Sequence, residues 1–178
     1  MEKEKNKSKH IRKKNRFGRD KAAIGKVIAV FLSIAAIAVL LVTVFTQFFP
    51  ILKYNGSAME PTLESGQYVM AMKTDSIEAG DLVAFYYNNS VLVRRVIATE
   101  GQQVAVDLFG TVSVDGKEQE EPYASAKTLG QSNQDYPCKV PHNSLFVMGD
   151  NRATSMDSRL KEIGAIDKDR LIGKLILY

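Results

Sequence analysis

The chain has 178 residues, 24 Lys and Arg against 20 Asp and Glu, and a net charge of +4. Its length fits one ordinary domain plus a small addition, and 45% hydrophobic residues exclude a wholly disordered chain. One cysteine, Cys138, excludes an intrachain disulfide framework, and two histidines, His10 and His142, speak against a zinc site.

The charge is unevenly placed. Residues 1–26 hold eleven Lys and Arg against three acids, a net of +8, which leaves −4 for the rest. This predicts a basic tail on an acidic body. The tail reads as a solvated, unstructured run that contacts anionic headgroups. With Phe17 its only aromatic residue, it lacks what nucleic-acid binding needs.

Between Lys26 and Lys53 no residue is charged, and Ser33, Thr43, Thr46 and Gln47 are the only polar members of residues 27–49. Those residues form a helix of ~35 Å, enough to cross a hydrocarbon core of about 30 Å. A cleaved secretory signal has a shorter apolar region, typically ~7–15 residues. This run ends in Phe48-Phe49-Pro50, which is a poor cleavage pattern. The reading is a retained transmembrane helix. By the positive-inside rule the tail is cytoplasmic, and residues 54–178 lie outside the cell membrane.

Those last 125 residues show short β-rich runs between turn signals. Strands are expected at residues 67–72, 82–87, 91–99, 104–108, 111–114, 144–148 and 171–177. Asn88-Asn89 joins the second to the third as a hairpin turn, and Asp115-Gly116 is another turn signal. A helical turn is expected near Lys168. Residues 118–143 are rich in Gln, Ser, Pro and Lys and read as a surface excursion. Within it Cys138 reads as an unreactive thiol. The expected fold is mainly antiparallel β behind one N-terminal transmembrane helix.

Three motifs in order carry more specific information. The first is Gly56-Ser57-Ala58-Met59-Glu60-Pro61-Thr62-Leu63. The second is Arg94-Arg95-Val96-Ile97. The third is Val147-Met148-Gly149-Asp150-Asn151-Arg152, continued by Ser155, Asp157, Ser158 and Arg159. Together they resemble the type I signal peptidases of Gram-positive bacteria, and the resemblance covers the whole chain. It implies a signal-peptidase-type β domain on a single-pass anchor. It also implies a Ser/Lys dyad that removes signal peptides from exported preproteins and needs no metal or organic cofactor.

Both dyad positions depart from that pattern. The resemblance puts Ala58 at the nucleophile position and Arg94 at the general-base position. Alanine has no oxygen with which to attack a carbonyl. Arginine does not give up a proton as a desolvated lysine can. Ser57 is one residue from the nucleophile position, and in an extended segment neighbouring side chains point to opposite faces. His142, between Pro141 and Asn143, reads as a turn residue and not as a base. Downstream, Ala98-Thr99-Glu100-Gly101-Gln102 departs from the family's Gly-x-Pro-Gly-Asp.

The resemblance further implies that Ser155 orients the base. Met59, Leu63, Leu92 and Val93 match positions lining the peptide cleft, with ordinary core packing an equal alternative. Arg95, Gly149, Asp150, Asp157 and Arg159 match framework positions, and Arg94 is expected to pair with a carboxylate such as Asp157. The functional expectation is a non-catalytic relative that binds exported or pilin-like peptides, or assists surface-protein or pilus assembly. The alternatives are an active type I signal peptidase, an inactivated version of one, and a purely structural membrane-anchored domain.

Overall fold

The computed structural model describes the backbone of residues 2–178 and the side chains of residues 24–178. Apart from Lys26, the tail's charges therefore lie outside the described side chains. The chain divides into two units, residues 1–47 and 48–178.

The first unit is one helix, α1 (Glu2–Phe48), which starts well before the expected residue 27. The basic tail, expected to be unstructured, is helical from Glu2 onward. Its apolar part, Ile24–Phe48, has a mean hydropathy of 3.0 over 25 residues and is long and apolar enough to cross a membrane. Ser33 and Thr43 turn their hydroxyls onto the carbonyls of Ala29 and Val39, four residues back, so these hydroxyls are satisfied within the helix.

The second unit is antiparallel β, as expected. Its strands are β1 (Ile51–Lys53), β2 (Tyr68–Met72), β3 (Leu82–Tyr87), β4 (Ser90–Thr99), β5 (Gln103–Val106), β6 (Val112–Val114), β7 (Lys117–Glu118), β8 (Cys138–Lys139), β9 (Ser144–Met148), β10 (Ile166–Asp167) and β11 (Leu171–Leu177). A seven-stranded sheet runs β1-β2-β11-β3-β4-β9-β10, and a four-stranded sheet runs β7-β6-β5-β8. The β3–β4 turn is made by Asn88 and Asn89, both at positive φ (43° and 60°), as a two-residue hairpin that follows the strand twist requires. The helical turn near Lys168 is a single 3-10 turn, Lys168–Arg170, capped by Asp167.

Every residue of β9 is buried, and its two faces serve two cores. Leu145 and Val147 pack with Val83, Phe85 and Val96. Phe146 and Met148 face the other way and pack with Val104, Val106, Val112 and Val114 of the small sheet. This is the period-two alternation of a strand covered on both sides. A third cluster gathers Val69, Leu82, Val93 and Leu175 around Met59 and Leu63. The wholly buried β9 carries the first two residues of the third motif, Val147 and Met148, and delivers the chain to Gly149.

Candidate functional site

The first motif occupies the connection from β1 to β2 and is held by its own backbone. Glu60 donates to the Ser57 carbonyl at 3.2 Å and Leu63 to that of Met59 at 2.9 Å. The Met59 amide donates to the Tyr54 hydroxyl at 3.0 Å. The segment is thus a series of turns and not an extended strand. That overturns the alternation argument for Ser57, which lines the same cleft as Ala58.

The third motif folds back against the first. Asn151 donates its amide to the Ala58 carbonyl at 3.0 Å. The approach is close at Gly149, where a Cβ would stand 2.3 Å from Ser155 Oγ and 2.5 Å from the Ala58 carbonyl oxygen. Only a residue without a side chain fits there. The Gly149 amide donates to Asp157 at 2.9 Å.

Three buried ion pairs hold this framework. Arg95 grips Asp150 with Nε at 2.8 Å and Nη2 at 2.6 Å, and its guanidinium lies 4.0 Å from the centre of the Tyr123 ring. Thr62 adds its hydroxyl to the same carboxylate. Arg159 holds Asp157 through Nε and Nη2, both at 2.8 Å. Arg152 holds Glu121 at 2.9 and 2.7 Å. Burial works against the charge of Arg95 and Arg152, but the carboxylates outweigh it and both guanidinium groups sit above the ordinary arginine value.

Glu121 has no counterpart among the sequence expectations. It lies in the excursion of residues 118–143, whose composition suggested only surface. The excursion is tied to the framework a second time where Leu129 accepts from Arg159 Nη1 at 2.7 Å. Arg152 stood within the third motif and was the available signal, since a buried arginine needs an acceptor.

Arg94 is different. It is 5% exposed and makes no ion pair among the described residues. Its Nε and Nη2 donate to the Met156 carbonyl at 3.0 and 2.8 Å, and Nη1 donates to the Val93 carbonyl at 2.6 Å. The expected pairing with Asp157 is not made, because Asp157 is engaged by Arg159 and by the Gly149 amide. Desolvation pulls the Arg94 guanidinium below the ordinary arginine value, with the charge of Asp157 acting the other way.

Ala58 and Arg94 line one cleft of about 400 Å³. Leu92 and Val93 line it too, whereas Met59 and Leu63 are wholly buried in the core and do not. Met59 and Leu63 therefore follow the packing alternative. Their apolar neighbours Val69, Ala71 and Leu82 close around them before they can reach the cleft. Ser155 is 1% exposed, and its hydroxyl has no hydrogen-bond partner among the described residues. His142 faces Glu100 on an exposed turn and is not part of the cleft. Cys138 is half-buried on β8, where desolvation pushes its thiol up. Among the described residues lining the cleft, Arg94 is the one charged group, and none is a histidine, lysine or carboxylate.

A family model described as signal peptidase, peptidase S26, matches residues 24–178. The chain belongs to the signal peptidase family. Signal peptidase I T of Bacillus subtilis is 38% identical over 151 residues, covering 77% of this chain and 77% of that protein. Signal peptidase IB of Staphylococcus aureus is 34% identical over 142 residues, covering 68% of this chain and 72% of that one. The crystal structure of a signal peptidase I from Enterococcus faecalis V583 superposes at a TM-score of 0.49 with 24% identity, over 58% of this chain and 99% of that one. Gly56, Ser57 and Ala58 of the first motif, Arg94 of the second, and Thr154 and Met156, interleaved with the third, line this one cleft.

Proposed function

We propose that this chain is a non-catalytic member of the signal peptidase family, a membrane-anchored domain that binds exported peptides without cutting them. Residues 1–26 form its cytoplasmic tail, residues 27–49 its single transmembrane helix and residues 54–178 its extracytoplasmic β domain. The charge asymmetry across the apolar helix supports that orientation. Ala58 takes the nucleophile position, Arg94 the base position and Ser155 the position that oriented the base. Arg95, Gly149, Asp150, Asp157 and Arg159 keep the framework standing. Leu92 and Val93 supply apolar wall to the peptide cleft.

One observation carries this reading: no group lining the cleft can take a proton from a hydroxyl near neutral pH. The role it implies is that of an accessory or chaperone-like factor in surface-protein or pilus assembly, by analogy with relatives that have lost the dyad. The second reading, an active peptidase, draws on Ser57, which lines the cleft beside Ala58. Ser57 would still lack a base.

Full-length protein in detergent, incubated with a preprotein, decides between them. The expected result is no mature product above the no-protein control. Timed release of mature product that Ser57→Ala abolishes would overturn the proposal. Paired restoration, Ala58→Ser with Arg94→Lys, is expected to release product where either change alone does not.

A further inference from the structure

Four arginines are buried among the described residues of the β unit, and three buried carboxylates face them. Asp150, Glu121 and Asp157 are taken by Arg95, Arg152 and Arg159. Arg94 is left over, and it is the one that lines the cleft. Its recorded partners are two neutral carbonyl oxygens, which use three of the five N–H donors of a guanidinium and leave two uncommitted. Asp157 attracts it from a distance, but Arg159 on the same carboxylate repels it. A buried cation with no counter-ion is costly, and an anion that enters the cleft relieves that cost.

The rest of the cleft says what kind of anion fits. Val91, Leu92, Val93, Met156 and Ile163 make much of its wall apolar, which suits short side chains better than a hydrated inorganic ion. Strand β9 meets β4 only from Arg95 onward, so residues 90–94 have no strand neighbour on that edge. An open strand edge takes an extended peptide through main-chain hydrogen bonds. Ala58, with a methyl group where a nucleophile would stand, adds no competing polar group.

We propose that the cleft captures the free C-terminal carboxylate of an extended peptide, with Arg94 as its counter-ion. This rests on the peptide-binding reading and sharpens it. An uncut precursor passing through the cleft offers Arg94 a neutral peptide bond. A chain end offers a carboxylate, which takes the two uncommitted donors in a charge-assisted pair. The ligand is then a peptide already released by a cleaving enzyme, and not a precursor awaiting cleavage.

The test uses the full chain in detergent micelles and two fluorescein-labelled hexapeptides ending in Ala-Ala-Ala. One carries a free carboxylate and the other a C-terminal amide. Fluorescence anisotropy at neutral pH is expected to show the acid binding at least about tenfold more tightly. In Arg94→Met the two peptides should bind alike, with a thermal melt confirming that the variant is folded. Equal affinity for acid and amide on the unsubstituted protein would overturn the proposal while leaving peptide binding intact. So would an acid preference that survives Arg94→Met. No binding of either peptide would overturn this proposal together with the reading it rests on.

Discussion

Arg94 and Arg95 are neighbours on β4 and live under opposite electrostatics. Arg95 is held by both oxygens of Asp150, by the Gly80 carbonyl and by the Tyr123 ring. Arg94, equally buried, has only carbonyl dipoles. The buried arginines behind the cleft are therefore paired with carboxylates, while the cleft carries a cation with no counter-ion among the described residues. The pairs Arg95–Asp150, Arg152–Glu121 and Arg159–Asp157 stabilise the loops whatever residues stand at positions 58 and 94.

The comparison predicts opposite signs for changes in the two regions. Asp157→Ala should cost the most, about 3–5 kcal/mol, because it strands buried Arg159 without a counter-ion. It also removes the acceptor of the Gly149 amide and the nearest negative charge acting on Arg94. Arg94→Met, by contrast, should leave stability unchanged or raise it by about 1 kcal/mol, since a buried charge without a counter-ion gives way to a shorter apolar chain, at the cost of three hydrogen bonds to carbonyls. Thermal melts of both variants in the same detergent check this. A loss at Arg94 as large as that at Asp157 would erase the distinction between the two regions.

Gly149→Ala probes the seam between them. Its Cβ would press on Ser155 Oγ and on the Ala58 carbonyl, and overpacking of this kind costs about 1–3 kcal/mol. The expected signature is a lowered melting temperature together with weakened peptide binding, because the displaced atoms belong to the cleft-bearing loop. Reduced stability with unchanged binding would mean that the framework and the cleft are mechanically independent.

How far the sequence exposes each region differs for physical reasons. Strands β3, β9 and β11 fall at the expected residues, because each is an apolar run bounded by turn signals. Strands β1, β7, β8 and β10 are two or three residues long and carry no period to read. The apolar helix is legible from the absence of charge alone. In the site, the sequence shows an alanine at position 58 and an arginine at position 94, and the structure brings both to one cleft. Whether Met59 and Leu63 face cleft or core is not visible, since the same apolar side chain serves either. Ser57 was misplaced because the side-chain alternation of a strand does not apply to a turn. Burial of Glu121 depends on Arg152, 31 residues away, and no local pattern announces such a contact.

The smallest effect belongs to Ser155 and is the most discriminating. Its buried hydroxyl is unpartnered among the described residues, so it carries a desolvation cost with no hydrogen bond to offset it. Ser155→Ala should therefore stabilise the protein slightly, by about 1 kcal/mol. The sign should reverse in the Arg94→Lys background. There a shorter ammonium group cannot reach as a planar fork does and is free to seek the hydroxyl instead. A double-mutant cycle on positions 94 and 155, read by thermal melts, should then show a coupling of about 0.5–3 kcal/mol. Zero coupling would mean that the hydroxyl is orphaned by the loop itself, whatever residue stands at position 94.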